Sequence, residues 1–460
     1  MHTRTARGRR HAAALGSWSL ALFMLALFIV FSSPQARAIP AFARKYGLPC
    51  SACHEAWPKL NNFGQVFKDN GYQLGNDKDA PIFHEPAYWP VSFRITPNWH
   101  RENTDKVLVD QAASGVQGVT SHGFDLSGLD ILTAGTLNKN ISFLLVPSAD
   151  STGAFHFESA WVRFDNLLKT SWLNVKMGKF ELDNVFSEKR NLTLSNTGGP
   201  YQIYHYQPLN DLSAGATPFG IGDNQLGLEV MGHSKNSYTR YSVAVLSSND
   251  GNVNLPTGNS YDVFLAGSQA FEAGGLGLQR VGGFAYLGQL PSYYLTSGGT
   301  PIAGGGQGYK GFTRAGFYGM WYLKKLDVTT MFTHATESKY LITGAAADGS
   351  VPLPANARDA AWNGALIETH YTVNPRWIIV NRYEAIRMSQ QSDPSLPSNF
   401  GNIDAITFGT RYYPFMHSRD GFAIHPEYSI LRTRGGFTDP SGSNQDVTTS
   451  SLFLGFDFIF

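Results

Sequence analysis

From residue 91 onward, apolar side chains return at every second position in one segment after another, the period of a strand with one apolar and one polar face. Leu173-Asn174-Val175-Lys176-Met177 alternates cleanly, Tyr241, Val243 and Val245 share a face, and so do Ile406, Phe408, Thr410 and Tyr412. The last segment sets Leu452, Leu454, Phe456, Phe458 and Phe460 on one face and ends on an aromatic residue. Marking every such run predicts strands over 91–101, 122–135, 140–147, 154–165, 172–180, 225–233, 238–247, 261–271, 277–288, 312–322, 326–336, 361–372, 376–388, 402–413, 421–433 and 450–460.

These runs number sixteen, an even count. Connections after even-numbered strands are short, as at Lys139, 234–237 and 373–375, whereas those after odd-numbered strands are mostly long, as at 102–121, 181–224, 289–311 and 337–360. Only the third connection, around 150–153, departs from this rule. The asymmetry predicts an all-β fold: a transmembrane antiparallel β-barrel of about 16 strands over 91–460, with tight periplasmic turns and long external loops. Lys176, Arg382, Glu384 and Arg411 are then expected to line a polar lumen, and the long 181–224 connection to fold inward and narrow it, as the equivalent loop does in general porins. A soluble sandwich or propeller would leave the even count, the loop asymmetry and the terminal Phe460 as separate coincidences.

Composition agrees. Hydrophobic residues make up 42% of the 460 but charged ones only 15%, against about 25% in ordinary soluble domains. Phe 31, Tyr 21, Trp 9 and Gly 48 suit many strands and turns better than long helices. The net charge of +1 supplies no field to hold nucleic acid.

The first 38 residues predict an address. Arg4, Arg7, Arg9 and Arg10 precede an apolar run from Trp18 to Phe31, and Ala36-Arg37-Ala38 is a small-x-small cleavage site. This is the pattern of a signal peptide over 1–38, too short to span as a helix, so a mature chain beginning at Ile39 is expected outside the cytoplasm, in the bacterial outer membrane.

The only two cysteines stand in Cys50-Ser51-Ala52-Cys53-His54. C-x-x-C-H is the attachment sequence of a c-type haem: both thiols add to vinyl groups of one porphyrin and the adjacent imidazole becomes an axial ligand of the iron. A redox pair would need a βαβ context and a zinc site further ligands. One covalent haem c on Cys50, Cys53 and His54 is therefore expected, within a small helical module over 39–90. Trp57, Leu60, Phe63 and Phe67 at helical spacing, with Pro58 in a first turn and Gly71 at the end, predict a helix packed on the porphyrin. The second axial position is open. No methionine lies between Ile39 and Pro90, and His84 is the sole local histidine besides His54. His84 is the nearest metal ligand, with His100, a barrel residue, a methionine borrowed from elsewhere or water as alternatives.

At this point a resemblance appears. Ala41-Phe42-Ala43-Arg44-Lys45-Tyr46-Gly47, the C-x-x-C-H, then Leu60-Asn61, Phe63-Gly64, Phe67-Lys68 and Gly71-Tyr72 resemble the amino-terminal module of fused monohaem c-type cytochrome-porins of the bacterial outer membrane. About 35 residues carry this likeness; the barrel agrees by pattern. The family includes members that oxidise ferrous iron. The resemblance implies electron transfer across the outer membrane between an extracellular donor such as Fe(II), or an acceptor, and a periplasmic cytochrome. Gln-Thr is expected in the iron oxidases where this chain has Lys45-Tyr46, a departure that bears on the donor and not on the haem. Two other readings stay open: a porin-type channel with the haem module as gate or redox sensor, and outward electron export.

Overall fold

The computed structural model describes residues 41–46, 48–56, 59–74, 90–108, 115–149, 153–183, 192–193, 202–206, 208, 224–247, 261–291, 309–339, 353–416, 420–439 and 441–460. The predicted signal peptide and His84 lie outside them.

Two short strands near the amino terminus, β1 (His54–Ala56) and β2 (Lys59–Leu60), pair only with each other. The next sixteen, β3 (Val91–Leu108) through β18 (Asn444–Ile459), form a closed antiparallel barrel in which every strand pairs with its neighbours in sequence and β18 returns to β3. Closure leaves no strand edge unpaired. At the seam, Phe93 and Phe460 exchange both backbone hydrogen bonds, at 2.7 and 2.9 Å, and their rings stack at 5.7 Å. The terminal aromatic residue thus completes the ladder.

All sixteen predicted strands are present. The differences are at the ends: β3 runs on to Leu108, β4 (Val116–Asn138) begins early, and β17 (Gly421–Thr438) and β18 extend toward each other. Arg101-Glu102-Asn103-Thr104 carries no apolar alternation, yet it pairs residue for residue with His122 to Val119. Side chains support the ladder at these ends, as where Thr120 donates to Asn103 at 2.8 Å and Thr104 meets Thr449 at 3.2 Å.

Alternation sorts the barrel into faces as expected. Val243, Val245, Phe408, Tyr412, Leu452, Leu454 and Phe458 point outward and are exposed, while Lys176, Arg382, Glu384 and Arg411 are buried inside. Inside, the charges pair: Lys176 with Glu229, Arg382 with Glu384 at 3.3 Å, and Arg411 with Asp457 at 3.4 Å. The expectation of a uniformly polar lumen needs correcting. Phe180, Phe264, Tyr286, Phe312 and Trp362 also point inward with at most 3% exposure, in one cluster that reaches Phe67 and Tyr72 near the amino terminus. They are buried because other parts of the chain fill the lumen.

Two segments do so. At the long-loop end, the connection after β7 (Asn174–Glu181) turns inward, as predicted, and places a helical turn, Gln202–His205, against the wall. Arg314 donates to the Tyr206 carbonyl at 3.1 Å, the Tyr206 hydroxyl to the Gly401 carbonyl at 2.8 Å, and Tyr206 meets Trp362 edge-on at 4.9 Å. At the short-turn end lie residues 41–74.

Candidate functional site

Residues 41–74 form three short helices among the described residues: α1 (Ala41–Tyr46), α2 (Cys50–Cys53) and α3 (Asn62–Asp69). The predicted helix thus starts later than expected. Lys59 and Leu60 pair with His54 and Ala56 instead, and α3 begins at Asn61, whose side chain accepts from the Gly64 amide at 2.9 Å. An Asx cap satisfies an otherwise orphaned amide. Alanine at Asn61 is expected to cost about 1 kcal/mol of helix stability, seen as faster amide exchange over 62–69. The helix end is as predicted: Gly71 (φ +75) donates to Lys68 and Tyr72 to Phe67, a Schellman closure.

The late start rotates the apolar face. Leu60, Gly64 and Phe67 turn toward Cys50 and Cys53, while Phe63 is 45% exposed and faces away; Trp57 lies outside the described residues. Cys50, Cys53 and His54 line a single, partly open cavity. Its remaining walls come from Phe42, Tyr46 and Tyr72 of the amino-terminal segment and from the inner face of the barrel, including Leu132, Leu144 and Ala423. The two cysteines form no disulfide with each other, and burial pushes the Cys50 thiol up to about 11. His100 is not part of this wall; its Nδ1 meets Asn98 at 3.0 Å on β3.

Gly64 shows how close the packing is. A Cβ there would sit 2.2 Å from the Cys53 carbonyl oxygen and 2.9 Å from Leu60. Gly64→Ala must therefore push α3 off the C-x-x-C-H backbone, at a cost of about 1–3 kcal/mol. Protease sensitivity of residues 59–74 in the purified protein is expected to rise.

Ion pairs hold the segment to the wall. Asp69, 2% exposed, accepts a bidentate pair from Arg240 of β9 (Thr239–Ser247) at 2.9 and 3.2 Å, and Arg240 also reaches Asp183 at 2.9 Å. Burial alone would raise the Asp69 pKa, but Arg240 together with His233 and Ser237 outweighs it and holds the carboxyl well below its usual range. Lys59 contacts Glu55 at 2.9 Å within the segment, and Asp327 at 3.4 Å and His370 at 3.0 Å on the barrel. Arg163 donates to the carbonyls of Lys68 and Asp69 at 3.0 and 3.3 Å, and Gln73 to that of Lys139 at 3.2 Å. These barrel partners lie close to the short turns, which fixes the cavity at that end. Sequence reasoning placed Cys50, Cys53 and His54 but missed this ring; only the barrel register brings Asp69 and Arg240, 171 positions apart, into contact.

With the strand order and the cavity in place, comparison with solved structures is informative. An anion-selective porin from Comamonas acidovorans matches with a TM-score of 0.51 at 10% identity, over 81% of this chain and 100% of that one. The barrel has a porin fold. OmpF of Salmonella typhi matches at 0.47 and 8% identity, over 81% of this chain and 98% of that one. A loop-deleted OmpT of Vibrio cholerae matches at 0.46 and 12%, over 81% and 99%. No protein-family model matches the chain, and no curated protein matches it. At these identities the likeness speaks for the porin-type barrel alone.

Proposed function

We propose that this chain is an outer-membrane electron-transfer protein, a fused monohaem cytochrome-porin, in which residues 39–90 carry one covalent haem c inside the short-turn end of a porin-type barrel. The observation that carries the reading is the shared cavity: both thiols and the imidazole of C-x-x-C-H line it, its walls are largely apolar, and the barrel completes it. Such a wall suits a porphyrin; a solute passage would want water and charge. Haem, when bound, supplies a one-electron ferric/ferrous couple. Cys50 and Cys53 would tether it, His54 would ligate the iron, and Leu60, Phe67 and the barrel wall would exclude water. One electron taken from an external donor such as Fe(II), leaving Fe(III), would pass to a periplasmic carrier near the short turns. A buried aromatic cluster joins Phe67 to Trp362 between the two ends.

Fe(II) added to outer-membrane fractions of expressing cells is expected to reduce the haem, followed by the sharpening of its visible bands. No reduction on a timescale useful for growth would remove ferrous iron as donor. Outward export would then be the remaining direction, and a low midpoint potential would favour it.

A second reading, a porin-type channel gated by the amino-terminal segment, is favoured by the barrel's likeness to the Comamonas porin. Steady solute conductance through the haem-loaded protein would select it.

A further inference from the structure

We propose that Met416, on the barrel wall, is the second axial ligand of the haem iron, an inference that rests on the haem reading above. Met416 closes β16 (Ile403–Met416) and lines the same cavity as Cys50, Cys53 and His54. A regular strand would turn it away. Arg411 and Tyr413 are buried on the lumen side and Tyr412 is exposed outside, so period-two alternation would send Phe415 inward and Met416 out. The ladder with β17 slips between Tyr412 and Phe415: Tyr412 pairs with Ile424, but Phe415 with Phe422 and Met416 with Gly421. One extra residue on β16, at Pro414, makes this a bulge, and a bulge inverts the faces beyond it. Phe415 accordingly packs on Phe422, which stacks on the outward-facing Phe458, while Tyr413 and Met416, three positions apart, both reach the cavity.

The chemistry of the wall selects Met416 from its neighbours. Tyr46 donates to the Tyr72 carbonyl at 3.3 Å, Lys68 lies 3.7 Å from Glu181, Tyr413 is hydrogen-bonded to Arg411, and Asp457 takes Arg94 at 3.0 Å. Met416 packs on an apolar group that includes Ile378 and Ala423. Its soft thioether is a haem ligand of the cytochrome c type and raises the potential relative to histidine or water. A ligand borne on the barrel would also make correct insertion of residues 39–90 a condition for completing the iron's coordination.

The test uses the purified, haem-loaded full chain. The ferric protein is expected to show the far-red charge-transfer band of methionine sulfur on iron; Met416→Leu should abolish it and lower the midpoint potential, with covalent haem staining retained. Met177→Leu, on the lipid-facing side, should keep the band. Leucine conserves volume, and heat-modifiable migration in detergent gels reports that the barrel has closed. Met416→His should give a six-coordinate spectrum without the band. A wild-type protein that stains for haem but lacks the band, or a band that survives in Met416→Leu, would overturn this assignment and leave the haem reading standing. A barrel that does not stain at all would overturn the haem reading itself.

Discussion

Replacing Cys50 and Cys53 together by serine is expected to reduce haem staining of the barrel to background. Thioether bonds survive denaturation, so a stained band on a denaturing gel reports covalent attachment and not mere retention. The chain has no other cysteine, which makes the result unambiguous: staining that persists in the double variant would exclude the C-x-x-C-H assignment. Each single variant keeps one thioether and should stain more weakly, whereas His54→Ala should leave both tethers and alter the spectrum through the lost axial ligand. The barrel itself should survive all of these changes. No strand of β3 to β18 pairs with residues 41–74, and the ladder closes through β18 and β3 alone.

The barrel was legible because a strand between lipid and lumen writes its environment at period two, and Ile406-Thr407-Phe408 shows that alternation without interruption. Its polar ends were not, since Arg101-Glu102-Asn103-Thr104 is held by ladder hydrogen bonds that leave no periodic trace. The C-x-x-C-H motif stands out in the sequence because covalent haem attachment would fix its spacing. The cavity around it was not legible, for two physical reasons. Asn61 competes locally for the Gly64 amide and delays α3, which exchanges Phe63 for Gly64 on the inner face. The other half of the wall comes from strands tens to hundreds of positions away, one of them re-aimed at its end by a bulge between Tyr412 and Phe415. Nothing in the sequence marks the inward aromatic residues, because their partners, Tyr206 and Tyr72, belong to segments whose placement depends on the finished barrel.

That filled lumen leads to the second large effect, expected in planar bilayers. The haem-loaded protein should show no steady conductance, because two occupants stand in series: residues 41–74 at the short-turn end and the Gln202–His205 turn at the other. Resistances in series make single releases nearly silent. Arg240→Ala removes the only partner that reaches both Asp69 and Asp183 among the described contacts, and stripping one member from a buried pair costs about 3–5 kcal/mol. It is expected to expose residues 41–74 to protease added on the periplasmic side while conductance stays low. Removal of residues 202–206 alone should likewise conduct little, and only the combination should open a porin-like pore. Acid should act as Arg240→Ala does. Asp69 titrates below its ordinary value, so its contribution is complete above about pH 4, the value of an unfolded aspartate, and fades as pH falls toward the depressed value in the folded protein. Protease sensitivity of residues 41–74 should therefore appear only below about pH 4 and be absent at neutral pH. Large steady conductance of the untouched protein at neutral pH would instead mark it as an open channel and end the case for a sealed conduit.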